Sequence, residues 1–198
     1  YLYTLRAVLL VNGEEVDFKN PRRAAESGVA MVQQELNQAL NRSVAENMWM
    51  GRYPSKFAFS PFVSDGEARR KTREIFDSLG IEANPKEKMS RLSVSKRQMI
   101  EIAKAVSFGA RVIVFDEPTS SLAKPEAERL FEIINSLKKQ GCGIIYISHK
   151  MEEILRISDE ITVMRDGKTV ASRQAKEMSV SEIIRLMVGR ELTNRYPP

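Results

Sequence analysis

Val112 to Phe115 is an apolar run, mostly β-branched, that stops abruptly at two acids, Asp116 and Glu117. Four consecutive apolar residues without alternation suit a strand of a parallel sheet, buried on both faces. A parallel sheet needs crossover connections, so the flanking chain must supply helices. Ligands of open parallel sheets bind beyond the carboxyl ends of the strands. Asp116 and Glu117 are expected at that edge. A carboxylate pair there suits phosphate chemistry, with one acid holding a Mg²⁺ shell and the other orienting a water. Pro118 keeps Glu117 out of the helical region, so the side chain stays at the strand tip. The plainer reading of the same residues is a strand ending in a polar turn, with Thr119 to Ser121 opening a helix.

The chain has 198 residues, room for one sizeable core or a domain with a small satellite. No uncharged apolar run is long enough to cross a bilayer, and the start shows no signal-peptide pattern. A single cysteine, Cys142, excludes an internal disulfide and fits a reducing cytoplasm. A single histidine, His149, excludes a histidine-based metal cluster. The net charge of +5 fits nucleic acid, acidic headgroups or nucleotide equally and decides nothing alone.

In chain order, Val8 to Val11 and Glu15 to Phe18 flank Asn12-Gly13, a favoured hairpin pair. A short helix after Pro21 is closed by Gly28, and Val29 to Val32 is a further apolar strand. It runs into Gln33-Gln34-Glu35, where a glutamine past a buried strand can meet a metal ion or a partner, or simply be solvated. Trp49, Tyr53, Phe57, Phe59 and Phe62 crowd an irregular stretch, as a small core or a binding face. Ser64 to Leu79 reads as an amphipathic helix capped by Ser64 or Asp65 and ended by Gly80. Its Arg69, Arg70, Lys71 and Arg73 read as a solvated face. Residues from about 41 to 89 therefore form a mainly helical insertion between strands.

Leu92 to Gln98 leads into a helix with Met99, Ile100, Ile102, Ala103 and Val106 on one face. Ser93 and Ser95 stand where its first turn begins. Free N–H groups there can bind an anion, and the commoner alternative is ordinary serine N-capping. Pro125 opens a helix with Leu130, Ile133, Ile134 and Leu137 inward, stopped by Gly141. Ile144 to Ile147 is then a second buried strand, ending in Ser148-His149. Strand, helix, strand in this order is a βαβ crossover with parallel pairing. It brings His149 to the edge that carries the acid pair. There a histidine can sense a phosphate or position a water.

Asp166-Gly167 sits between two strand-like runs and reads as a hairpin turn. Gly167-Lys168-Thr169 imitates the end of a phosphate-binding loop. That loop needs a glycine at position 162, which is threonine, and a helix after it, so the match is rejected. Residues 181 to 188 form a last helix ended by Gly189, and Arg190 to Pro198 reads as a linker or tail. The organisation expected is 1–40 for hairpin and first core strand, 41–90 for the insertion, 91–189 for the remaining core and 190–198 for the tail.

Taken together, these segments resemble the nucleotide-binding subunit of ATP-binding cassette (ABC) transporters. Phe115-Asp-Glu-Pro-Thr-Ser-Ser-Leu122 looks like the Walker B and D-loop, and Leu92-Ser-Val-Ser-Lys96 like the signature motif. Gln34 falls at the Q-loop glutamine, and Ser148-His149 at the switch histidine. Four motifs in this order, with a helical insertion between the first two in the chain, are a specific pattern. A narrower resemblance, to importers of galactose, methylgalactoside or ribose, rests on Met31 to Asn37, Glu46 to Arg52, Gln98 to Ala105 and Gly143 to Glu153. Met187 to Arg190 with Arg195-Tyr-Pro197 is similar to the end of the first of two tandem cassettes in such subunits. The resemblance covers about residues 8 to 198.

The resemblance implies an α/β, partial P-loop NTPase (ABC cassette) fold: a parallel sheet flanked by helices, with a helical insertion and an N-terminal β-hairpin. It implies ATP and Mg²⁺ as cofactors, with Asp116 and Gln34 on the Mg²⁺ shell, Glu117 polarising the water and His149 contacting the γ-phosphate. Ser93 and Ser95 would clamp nucleotide held by a second cassette in trans. The implied partners are membrane permease subunits and, indirectly, a periplasmic or extracellular sugar-binding protein, at the cytoplasmic face of the membrane and without nucleic acid. Departures from the pattern are Val94, Ser95 and Lys96 in the signature, and Ala123 where the D-loop has aspartate. None of the ten glycines sets up Gly-x-x-x-x-Gly-Lys-Ser/Thr. The chain as given is therefore expected to bind ATP weakly or not at all and not to hydrolyse it. Its sheet is also expected to expose an edge open to self-association. A non-catalytic module using only the signature face and permease contacts is the rival class. A cassette ATPase acting on DNA or ribosomes ranks last, because the basic residues are scattered.

Overall fold

The structure is a computed structural model that describes residues 9–11, 13–16, 21–54 and 64–189. They belong to two compact units, one of residues 18–147 and the other of residues 1–17 with 148–198.

The larger unit is built on three parallel strands, β3 (Val29–Val32), β4 (Val112–Asp116) and β5 (Gly143–Ile147), in that order across the sheet. Val32 lies beside Phe115, and Phe115 beside Tyr146. The crossover from β4 to β5 is α5 (Lys124–Lys139), as the sequence predicts. Pro125 stands in its first turn, and Glu126 Oε2 accepts the Ala123 N–H at 2.8 Å, which satisfies one orphan donor. Leu130, Phe131, Ile133, Ile134 and Leu137 form its buried stripe. The short α1 (Pro21–Glu26) precedes β3, and α4 (Val94–Val106) packs on it.

One expectation fails on this sheet. Ala30, Val32, Ile113 and Phe115 are buried, but the positions of opposite parity are not, with Met31 and Ile145 each 51% and Ile147 47% exposed. β4 and β5, read as buried on both faces, are covered on one. Strand side chains alternate between faces, so a single layer of helices buries only one parity.

The insertion holds α2 (Val44–Trp49) and α3 (Asp65–Leu79). Ser43 and Glu46 close α2 with a capping box, and Ser64 caps α3. Val44, Met48, Trp49, Ala68, Phe76 and Met89 form a core of their own, to which α4 contributes Ile100 and Ala103. Helix α4 therefore belongs to both the sheet and the insertion. Trp49 is a core residue here, not part of a binding face. Its indole Nε1 donates to Ala68 O at 3.0 Å and to Thr72 Oγ1 at 2.9 Å. Tyr53 packs at the margin of the same core, and Phe57, Phe59 and Phe62 lie outside the described residues.

In the other unit, β1 (Leu9–Val11) and β2 (Glu14–Val16) pair antiparallel, and so do β6 (Glu160–Arg165) and β7 (Lys168–Gln174). Asp166 and Gly167 both have positive φ, 52° and 72°, the signature of a tight hairpin turn. Gly167-Lys168-Thr169 thus lies in a hairpin and not at a helix start. Ile161, Val163, Met178 and Ile183 form this unit's core, joined by α6 (Met151–Ile157) and α7 (Val180–Val188). Residues 190–198, read as a tail, lie outside the described residues.

Candidate functional site

Parallel pairing of β3, β4 and β5 brings three carboxyl ends to one edge of the sheet. Asp116 is the last residue of β4 and stands in register with Ile147, the last of β5. Glu117 follows immediately, half-buried, and its N–H donates to Ile147 O at 3.0 Å. Its φ is 48°, a left-handed conformation that costs a side-chain-bearing residue about 1–3 kcal/mol. The chain then turns under the acids. Ser120 N–H donates to Glu117 O at 3.1 Å, and Leu122 N–H to Thr119 O at 3.3 Å. Thr119 itself is buried. The turn fixes where the glutamate backbone leaves the sheet and holds both acids at its rim.

On the other side of β4, Val32 ends β3 opposite Phe115. Gln33 and Gln34 follow, both exposed. Gln33 Oε1 accepts from Asn37 Nδ2 at 3.4 Å. Gln34, Asp116 and Glu117 are therefore brought to the same edge.

Ser93 and Ser95 form a second cluster, at the start of α4. Ser93 is the N-cap, with its Oγ accepting the Lys96 N–H at 3.3 Å, and the two serine oxygens are 3.1 Å apart. Ordinary capping is therefore present, and both hydroxyls stand at the dipole's positive end. Lys96 and Val94 are exposed on the same turn. His149 belongs to the smaller unit and is exposed. It follows β5 by two residues and precedes α6, with Lys150 N–H donating to Ser148 Oγ at 3.0 Å.

The donor set at the sheet edge is oxygen only, a carboxylate and an amide, which suits Mg²⁺. Among the described residues no group of three or more His, Cys, Asp or Glu side chains is placed to hold a metal. Mg²⁺ takes one or two carboxylates and completes its shell with water and phosphate oxygens.

Sequence reasoning missed Gln38 and Arg129. Gln38 Nε2 donates to Arg97 O at 2.9 Å and to Glu101 Oε1 at 3.0 Å, both on α4. Arg129 of α5 donates from Nε to Leu79 O at 2.9 Å, closing the end of α3. Both contacts join residues about fifty or more apart in the chain. No local pattern marks such a partner.

The sequence model of the ABC transporter family matches residues 6–120. The galactose/methyl galactoside import ATP-binding protein MglA of Clostridium perfringens is 54% identical over 96% of this chain, which spans 36% of that protein. The proteins of the same name in Haemophilus influenzae and Escherichia coli are 53% and 50% identical over 96% of the chain, with 37% of each covered. The chain thus spans little more than a third of the curated relatives it matches. Among solved structures, a nucleotide-free ATP-binding cassette from an ABC transporter superposes with a TM-score of 0.70 at 21% identity, over 90% of this chain and 71% of the other. A dimeric post-hydrolysis cassette bound to ADP and Pi superposes with a TM-score of 0.69 at 18% identity, over 83% and 72%. These likenesses show the fold, that of the P-loop NTPase cassette, and with the family match they establish that the chain belongs to the ABC transporter family.

Proposed function

We propose that this chain is part of the ATP-binding subunit of a carbohydrate importer, in which ATP hydrolysis drives passage of a simple sugar through a membrane permease. The carrying observation is the acid pair at the carboxyl end of β4, in register with β5 and beside the Gln34 segment. Relatives at 50–54% identity named for galactose and methyl galactoside import supply the substrate class.

Each residue then has one task. The Glu117 carboxylate accepts the hydrogen bond of the attacking water and orients it, from a backbone already fixed by Ile147. Bound Mg²⁺ would neutralise charge on the β- and γ-phosphates. Asp116 and Gln34 would hold its shell, Asp116 through the carboxylate and Gln34 through the amide oxygen. His149, two residues past β5, donates to the γ-phosphate and reports its loss. Ser93 and Ser95 offer hydroxyls and the α4 N–H groups to nucleotide on a facing cassette. The functional divisions are 1–40, the insertion 41–90, the core 91–189 and the tail 190–198.

No helix of the described residues is long and apolar enough to cross a membrane. The subunit acts at the cytoplasmic face, held by permease subunits, with a sugar-binding protein on the far side. Alone, the chain binds Mg-ATP weakly or not at all and does not turn it over, because no glycine-rich phosphate loop occurs in its sequence. The rival reading, a non-catalytic module using the signature face and permease contacts, is favoured by Lys96 and Ala123 at positions where the motifs carry other residues.

The experiment is Mg-ATP titration and turnover, on this chain and on the full-length protein with its permease. Sugar-stimulated hydrolysis by the full-length protein, lost in Glu117→Gln with binding spared, is the expected result. Full turnover in Glu117→Gln removes Glu117 from its role. Absence of any turnover in the full-length protein would favour the non-catalytic module.

A further inference from the structure

Between β3 and α2 the chain is anchored unevenly. Residues 33–37 carry the Gln33–Asn37 contact alone among their side-chain bonds described here. From Gln38 onward the anchoring is dense. Gln38 reaches α4, Ala39 exchanges bonds with the buried Asn47 amide at 2.9 and 3.1 Å, and the Leu40 and Arg42 carbonyls accept from Ser90 and Met89 at 2.9 and 3.0 Å. Gln38 is thus the first fixed point after Gln34.

What it grips is specific. Its two acceptors, Arg97 O and Glu101 Oε1, lie one helical turn apart on α4. Ser93 lies one turn before Arg97, at the N-cap. A shift of Gln38 is therefore delivered to the first turns of the helix that carries Ser93 and Ser95.

The link is also a poor structural fastening. Gln38 Oε1, Arg97 Nε and Gln98 Nε2 are buried without a hydrogen-bond partner among the described residues. Each such group gives up its bond to water with no bond in return. A leucine at position 38 would avoid part of that cost and pack the same space. Hydrogen bonds between elements are among the physical carriers of coupling between sites.

We propose that Gln38 is a positioning residue that couples the Gln34 segment to α4, so that movement at Gln34 reorients Ser93 and Ser95. This rests on the roles given to Gln34 and the two serines above. Gln38 touches neither nucleotide nor metal; it acts through α4.

The test uses the full-length protein reconstituted with its permease and sugar-binding protein. Basal and sugar-stimulated ATP hydrolysis, Mg-ATP affinity and thermal midpoint are measured for wild type, Gln38→Leu, Glu101→Leu and Glu101→Gln. Gln38→Leu is expected to lower the stimulation by about fivefold or more, the usual size of a coupling effect, with basal turnover and Mg-ATP affinity unchanged. Glu101→Leu should lose less in the same direction, and less than additively with Gln38→Leu. Glu101→Gln keeps an acceptor oxygen and should retain wild-type stimulation. Full stimulation in Gln38→Leu overturns the proposal. So does a proportional fall in basal and stimulated rates with a lowered thermal midpoint, which marks a structural role only. If Gln38→Leu does not fold, unchanged stimulation in Glu101→Leu overturns it instead. A wild-type importer with no response to loaded binding protein would overturn the functional reading beneath it.

Discussion

The N–H of Glu117 donates to the carbonyl of Ile147 across 3.0 Å, so the last residue of β5 holds the backbone of the second acid of β4. The bond is made while Glu117 adopts a φ of 48°. Non-glycine residues avoid that region by about 1–2 kcal/mol. The neighbouring strand therefore enforces a backbone angle that the residue itself resists. Strain of this kind persists where the surroundings over-determine it.

Glu117→Gly separates the backbone from the carboxylate. The bond to Ile147 uses the main chain and survives, while the strain is relieved. Glycine's larger unfolded-state freedom offsets roughly 0.5–1 kcal/mol of that relief. Urea unfolding should show stability unchanged or up to about 1 kcal/mol higher, and turnover of the full-length protein should fall by roughly 10²–10⁴-fold. A stability loss above about 1 kcal/mol would show that the side chain, and not the strand contact, holds this turn.

Gly80 ends α3 in a left-handed conformation, with φ 60° and ψ 41°. The Arg129 guanidinium lies where a Cβ would project, with Nη2 nearest to that position. Gly80→Ala must therefore displace Arg129 as well as adopt an unfavourable φ. A loss of about 1.5–3.5 kcal/mol is expected from the backbone and the broken Arg129–Leu79 bond together. Arg129→Ala alone should cost about 0.5–1.5 kcal/mol. The double variant should lose less than the sum, because the alanine already removes the bond. Strict additivity in denaturant titrations would sink the shared-contact account.

Local pattern carried much of this fold. The β4–α5–β5 crossover, the caps at Ser64 and Ser93, and the Asp166-Gly167 turn all obey near-neighbour rules and were legible, whereas α2 with its Ser43 cap falls in a stretch that reads as irregular. So were Asp116 and Glu117, because an apolar run that stops at acids states both strand and edge. Exposure of Ile145 and Ile147 was not legible, since four apolar residues look alike whether one sheet face is covered or two. Trp49 was ambiguous for a similar reason. Its burial depends on Ala68 and Thr72, about twenty residues away. Gln38 and Arg129 were invisible because each is defined by a partner on a distant element.

Trp49 is the sole tryptophan of the chain, so its fluorescence reports on the insertion alone. Thr72 is fully buried, with its hydroxyl donating to Ala68 O at 2.7 Å and accepting from the indole. Thr72→Val keeps the shape and removes the hydroxyl. The indole retains Ala68 O at 3.0 Å, so the expected cost is modest, about 0.5–1.5 kcal/mol. Trp49→Phe removes both indole bonds, though Thr72 still bonds Ala68 O, and leaves space, so it should cost more, about 2–3 kcal/mol. Circular dichroism would follow the second variant, which lacks the probe. Equal losses in the two variants would mean that the indole hydrogen bonds, and not ring packing, dominate this core.

Tyr53 gives a pH dependence of defined sign. Burial raises its phenol from 10.0 to about 12, helped by the hydrogen bond it donates to Asp65 Oδ1 at 3.0 Å and by the charge of Asp65. A raised acid favours the neutral form in the folded state. Its contribution is therefore complete below pH 10, the unfolded value, and fades as pH rises through about 12. Wild type and Tyr53→Phe should differ by a constant amount under neutral conditions, since the phenylalanine lacks only the hydrogen bond. The gap should narrow as the solution is made more alkaline than the ordinary tyrosine value, because the unfolded wild type then gains the phenolate. Urea unfolding followed by Trp49 fluorescence, repeated along that alkaline series, measures the gap directly. A gap that stays constant throughout would mean that Tyr53 titrates as an ordinary surface tyrosine and that the Asp65 contact does not persist in solution.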